Sequence, residues 1–263
     1  MIRPVLAKTV HILHGAVLGS VIVFMFAPTL IITIMSFSNE PFISFPPSTW
    51  GFRQYETFFA SSEWLGLLMR SFAVAAIASL VATAIGVLAV IGIHRTNAPG
   101  RSLVQALGIG PLLVPGVAYA IALYALFSAM HILGTPLALV LAHIALTLPF
   151  VLLIVSAAIT RIPSELESAA VGLGASRQRA WWDITLQLLR PSLLAALVFA
   201  FIYSLDEAVI ASFLGYKTLP VAIFNSVRFG VDPVITAIST ILMLVVGALS
   251  LLYEWARRSE RRR

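Results

Sequence analysis

Residues 102–160 contain no Asp, Glu, Lys or Arg. A charge-free stretch of that length is too long for one membrane-spanning helix, which needs about 20 apolar residues, and about right for two. The division falls at residues 130–136, where His131, Gly134 and Pro136 cluster, so the stretch predicts a hairpin of spans near 103–129 and 136–160. Pro111, Pro115 and Pro149 lie inside these spans, where neighbouring helices must re-satisfy the freed carbonyls and kinks are expected.

Four further apolar runs, near 10–37, 65–93, 191–214 and 233–255, bring the expectation to six spans in one transmembrane domain covering residues 1–263. Composition agrees: 60% of residues are hydrophobic and 11% charged, against about 25% charged in soluble domains. The fold class is therefore an all-α polytopic membrane protein. The first run competes with a signal peptide, but it is too long for that and no small-residue cleavage site follows at a suitable place. His11 and His14 within it read as interfacial histidines rather than a metal pair, since no third ligand is near. Residues 38–63 read as an external loop with one short interfacial helix, and residues 215–232 as a second external loop.

Lys and Arg set the orientation. With both termini inside, only Arg53, Arg70, Lys217 and Arg228 fall outside, and the remaining 13 of the 17 basic residues lie on the cytoplasmic side. This accounts for the net charge of +6 without nucleic acid, for which no interleaved aromatic and basic face exists. There is no cysteine, so no disulfide framework, thiolate metal site or Cys nucleophile is available.

The same rule puts the polar segment 161–190 in the cytoplasm. Pro163 closes the preceding span, and Ser164 with Glu167 has the spacing of a reciprocal capping box, so a helix is expected to begin at Glu165. Leu166, Ala170 and Leu173 fall on one side of it, and Gly174 takes the left-handed position beyond its end. A second short helix is expected after Ser176, carrying Trp181 and Trp182 at headgroup level. The segment thus reads as a helix-turn-helix lying on the inner membrane face.

Here the chain resembles the bacterial ABC-importer permeases, which share a cytoplasmic loop of the form E-A-A, three residues, G, nine residues, I-x-L-P. Ser168-Ala169-Ala170 through Gly174, then Ile184 to Gln187, keeps that spacing. Ser168 stands where the family's first Glu would be, with Glu167 one residue earlier, and Gln187 replaces the final Pro. The run 204–214, then Thr218-Leu219-Pro220 and Gly230 to Pro233, is similar to the spermidine/putrescine branch.

The resemblance implies a type I ABC-importer permease fold in the bacterial inner membrane. It also implies a second permease subunit of different sequence, two ATP-binding subunits that hold the ATP and Mg, and a periplasmic or lipid-anchored solute-binding protein. Glu167, Ser168, Ala169, Ala170, Leu173 and Gly174 would then form the surface docking on an ATP-binding subunit, the small residues letting it seat deeply. The plain alternative is an interfacial helix with no partner.

Asp206 and Glu207 are expected on the fifth span, about 22 Å along the helix from Pro191, in the outer half of a hydrocarbon core about 30 Å thick. Charges there are costly without water or a partner and mark functional sites by default. Tyr203 precedes them by three and four positions, and acid plus ring suits an alkylammonium ion. The alternative is structural, with the acids paired to Lys217 or Arg228 or hydrated at the outer surface.

No G-x4-G-K-[ST], H-E-x-x-H or G-x-S-x-G arrangement occurs, so neither ATP hydrolysis nor another catalytic activity is expected of this chain. The reading is a permease subunit of an ATP-driven importer of a small hydrophilic solute, with a polyamine as first choice and an opine, amino-acid derivative or organophosphonate as alternatives. A stand-alone secondary transporter and a scaffold without a pathway are the rivals from other classes.

Overall fold

The computed structural model describes residues 2–95, 108–230 and 232–260. The described chain is nearly all helical, and five helices are long and apolar enough to cross a membrane. It divides into two compact units, Met1–Ser62 with Ser226–Val245, and Glu63–Asn225 with Val246–Arg263.

In the first unit, α1 (Ile2–Ser36) is one long helix whose apolar side chains between residues 13 and 26 are exposed, Phe24 by 80%. The side chain of His11 lies outside the described residues. The expected loop follows, held by backbone hydrogen bonds from Asn39 N–H to Thr49 O (3.0 Å) and from Gly51 N–H to Phe37 O (2.8 Å). Glu40 is the hub of this loop, accepting from the Ser44 hydroxyl and from the N–H groups of Ser48 (2.7 Å) and Thr49 (3.2 Å). The short helix expected here is α2 (Arg53–Ala60), and Gln54 on it donates to the carbonyls of Ser38 (3.2 Å) and Glu40 (2.8 Å).

The second unit begins with α3 (Ser62–Arg95), the expected second span. The third span departs from expectation. Residues 96–107, and with them Arg101 and the start of the 103–129 span, lie outside the described residues; beyond them a 3₁₀ turn, Gly110–Leu113, precedes α4 (Gly116–Ala129). Pro115 causes the break, because a residue before proline is pushed out of the helical region, and Val114 is extended at φ −89°, ψ 128°. With 14 residues, α4 is about 21 Å long, short of the roughly 30 Å core. After a turn at His131 and Gly134, both at positive φ, comes α5 (Pro136–Ile159). Thr135 caps it, its hydroxyl accepting from Ala138 N–H at 3.2 Å.

Beyond α5 lie α6 (Glu165–Gly172) and α7 (Arg177–Ala180), a π-helical turn (Trp181–Thr185), α8 (Leu186–Leu205) and α9 (Val209–Phe213). Residues 215–232 are not the loop expected of them. An apolar helix, α10 (Leu219–Phe229), occupies that stretch, and its Leu219 N–H donates to Ser71 Oγ of α3 at 2.8 Å. The last helix, α11 (Val234–Glu260), contributes residues to both units.

The second unit's core is built on small side chains, as suits helices packing in lipid, where van der Waals contact rather than water exclusion drives association. Ala120, Ala138, Ala142 and Ala211 are buried with Phe127, Leu139 and Leu214 in one cluster, and Ala82, Ala196 and Ala200 with Val151 and Val155 in another. Gly86 lets α3 approach α5 so closely that a Cβ there would stand 2.6 Å from Val151 Cγ1.

Candidate functional site

Two places concentrate polar groups: the elbow between α5 and α8, and the break between α8 and α9. The elbow helix α6 begins at Glu165 as the sequence predicts. Its end also matches: Gly174 has φ +97°, its N–H bonds Val171 O (3.0 Å), and Ala175 N–H bonds Ala170 O (3.0 Å). That pair of reversed bonds satisfies carbonyls the helix leaves open, in the left-handed geometry that a glycine adopts without strain.

The start of α6 corrects the sequence reading. Ser164 is itself in the helical region and makes no side-chain cap, and Glu167 accepts a hydrogen bond from the Thr185 hydroxyl. Thr185 is buried, so its hydroxyl needs a protein acceptor, whereas the exposed N–H groups at the start of α6 can be served by water. No residue of α6 is buried, and Leu173 is 91% exposed. The stripe of Leu166, Ala170 and Leu173 is therefore not packed into the chain's own core, and Ser168 and Ala169 are exposed beside it.

The second elbow helix is capped as expected, Ser176 Oγ accepting from Arg179 N–H at 3.2 Å. It does not stop before the fifth span, however. α7, the π turn and α8 form one helical run through Pro191, so the helix-turn-helix is an elbow feeding directly into the span.

At the far end of that run the expectation of a continuous helix to Leu214 fails. α8 ends at Leu205, Asp206 is its C-cap, and Glu207 lies in the break. The reason is local: the first N–H groups of α9 need acceptors, and the Glu207 carboxylate takes those of Ile210 (2.8 Å) and Ala211 (3.1 Å). The titratable side chain that faces Glu207 is not Lys217 or Arg228 but His143 of α5, whose Nε2 lies 3.6 Å from Glu207 Oε2 while its Nδ1 lies 2.6 Å from Ser204 Oγ.

His143 is the residue the sequence reading missed. A lone histidine in a charge-free span was the available signal, since an ionisable side chain inside a membrane calls for a partner by default. Asp206 is exposed, and Tyr203 is packed with other rings, parallel to Phe199 with centroids 6.0 Å apart and 4.8 Å from Phe150. The break thus engages Glu207 internally and leaves Asp206 open. Among the described residues no cluster of three His, Cys, Asp or Glu is placed to hold a metal ion.

Comparison with known proteins places this architecture. Over 251 residues the chain is 30% identical to the putrescine transport system permease protein PotI of Escherichia coli K12, covering 91% of this chain and 89% of that protein. It is 28% identical to the spermidine/putrescine transport system permease protein PotC of Haemophilus influenzae, over 94% and 96% of the two chains. Among solved structures, a chain of a bacterial ABC transporter involved in alginate import superposes with TM-score 0.71 at 18% identity, covering 97% of this chain and 96% of that one. A chain of the MetNI methionine ABC transporter gives 0.61 at 18% identity, over 76% and 98%. Residues 82–263 match the family model for binding-protein-dependent transport system inner membrane components, and the chain belongs to that family.

Proposed function

We propose that this inner-membrane component imports a polyamine, with putrescine or spermidine as the solute. The observation that supports it best is the exposed carboxylate of Asp206 at a helix break within the apolar bundle, beside the Tyr203 aromatic cluster, in a chain whose relatives are named for putrescine and spermidine transport. An anionic group and ring faces offer an alkylammonium ion charge-assisted hydrogen bonds and cation–π attraction. In this reading Asp206 and Tyr203 line the pathway, and Glu207 shapes it from behind.

The working assembly is this chain, a second permease of different sequence, two ATP-binding subunits and an external solute-binding protein. Glu165 to Gly174 faces the cytoplasm with both termini and docks on an ATP-binding subunit. The exposed Leu173 with Ser168, Ala169 and Ala170 forms the contact surface, whereas Glu167 is turned inward and stiffens it.

The test is uptake of labelled putrescine and spermidine into proteoliposomes holding the full assembly, with an opine, an amino acid and an organophosphonate as competitors. ATP-dependent accumulation of a polyamine, undiminished by the other solutes, is the expected result. Accumulation of one of the others overturns the solute assignment, and accumulation without ATP-binding subunits overturns the coupled mechanism.

A further inference from the structure

His143 of α5 lies between Ser204 and Glu207 of the next span, where α8 breaks. His143 is 2% exposed, and Nε2 has no hydrogen-bond partner within normal range although Glu207 Oε2 faces it at 3.6 Å. An ionised carboxylate only accepts, so the ring that faces it without opposing two acceptors is the one with a hydrogen on Nε2. Ser204 Oγ, 2.6 Å from Nδ1, then donates to a neutral ring or accepts from a charged one. Either way Ser204 fixes the ring and the ring presents a donor to Glu207.

Glu207 in turn spends its oxygens on the N–H groups of Ile210 and Ala211. The chain His143, Glu207, α9 therefore runs from the middle of one span to the first turn after the break in another. The turn preceding α5 makes a second tie, Gly134 N–H donating to Leu214 O at 2.9 Å just beyond the end of α9. α9 is thus held at both ends by α5 and the turn before it.

We propose that His143 is a positioning residue: by holding Glu207 against the start of α9 it fixes the break between α8 and α9, and with it the direction in which Asp206 faces. The latch itself follows from the geometry above, and only its consequence for putrescine rests on the proposed function.

Two measurements on the assembled transporter test it. Hydrogen exchange reads the N–H groups of Ile210 and Ala211, with residues 219–229 as an internal control. His143→Leu is expected to speed exchange at 210 and 211 about tenfold and leave the control unchanged, while His143→Gln, whose amide can still donate, stays within about threefold of the parent. Putrescine uptake with saturating binding protein is expected to fall with His143→Leu and recover with His143→Gln.

Unchanged exchange in His143→Leu, faster exchange spread equally over the control, or loss of protection with undiminished uptake each overturns the proposal. If the parent protein imports no putrescine while exchange responds as expected, the solute assignment fails and the latch stands.

Discussion

The buried Thr185 hydroxyl donates a hydrogen bond to the carboxylate of Glu167, eighteen residues earlier, and so ties the elbow helix α6 to the π turn that opens the fifth span. A π turn is a local irregularity that recurs at functional sites. Here it lies between the helix that offers its face outward and the helix that ends at Leu205, so a force applied to α6 has a bonded route into α8.

Removing that tie is expected to loosen coupling without dissolving the fold. A hydrogen bond to a charged group contributes about 1.5–3 kcal/mol. Thr185→Val should therefore raise the ATP hydrolysed per solute imported, while Thr185→Ser, which keeps the hydroxyl, stays near the parent ratio. The check is parallel measurement of ATP hydrolysis and uptake in proteoliposomes.

Gly174 separates backbone strain from docking. Its φ is +97° and a Cβ there would meet nothing within 4 Å, so Gly174→Ala should cost only about 1–2 kcal/mol of local strain and keep most uptake. Gly174→Arg and Ala170→Glu put bulk and charge on the outward face and are expected to abolish uptake and solute-stimulated ATP hydrolysis, with membrane insertion intact by fractionation.

The adjacent acids should behave differently. Asp206→Asn is expected to cut polyamine uptake about tenfold, the loss of about 1.4 kcal/mol of interaction with a cation, and to leave thermal unfolding in detergent unchanged. Glu207→Ala removes the acceptor for two backbone N–H groups and should lower stability by about 1–3 kcal/mol per orphaned group, seen as an earlier unfolding transition. Equal thermal effects from both would refute the division of roles.

Glu40 gives the loop before α2 a pH dependence. The Ser44 hydroxyl first, and the Ser48 and Thr49 N–H groups with it, hold its carboxyl below the ordinary glutamate value, against the opposing effect of burial. A depressed carboxylate contributes stability that is present above its unfolded pKa and lost as pH falls through the folded one. Exchange at Ser48 and Thr49 should thus be slower than in Glu40→Gln at neutral pH, and the two proteins should converge as pH drops through the acidic range.

Gly86→Ala places a methyl 2.6 Å from Val151 Cγ1 and is expected to destabilise by about 1–3 kcal/mol through overpacking. Val151→Ala in the same chain makes room, so the double variant should recover part of that loss. The measurement is thermal unfolding of the four proteins in one detergent.

Much of this was legible from the residues alone. The charge-free stretch, the apolar runs and the basic residues between them dictated an all-helical membrane chain, because a bilayer leaves no partner for an unpaired backbone group and little tolerance for a charge. Local chemistry also marked the ends of short helices: Glu165 begins α6, Gly174 closes it at positive φ, and Ser176 caps α7. These depend on neighbours three or four residues away, which the order of residues supplies directly.

Only the tertiary structure decided where Glu167 and Glu207 spend their oxygens. Glu167 had a plausible local role in a capping box and was drawn instead to the buried Thr185 hydroxyl eighteen residues on, whereas Glu207, expected on a continuous span, turns its oxygens to the N–H groups of Ile210 and Ala211 with the distant His143 standing 3.6 Å away. The helix at 219–229 was hidden in the same way, and the break at Pro115 for a local reason, since a proline can either kink a span or interrupt it. An apolar stretch too short to span reads equally well as loop or helix until Ser71 of α3 offers Leu219 an acceptor, and a proline inside a span reads as a kink until the chain beside it takes the extended form. A buried polar atom must find its partner wherever the fold brings one, and that choice is not written in the spacing of residues along the chain.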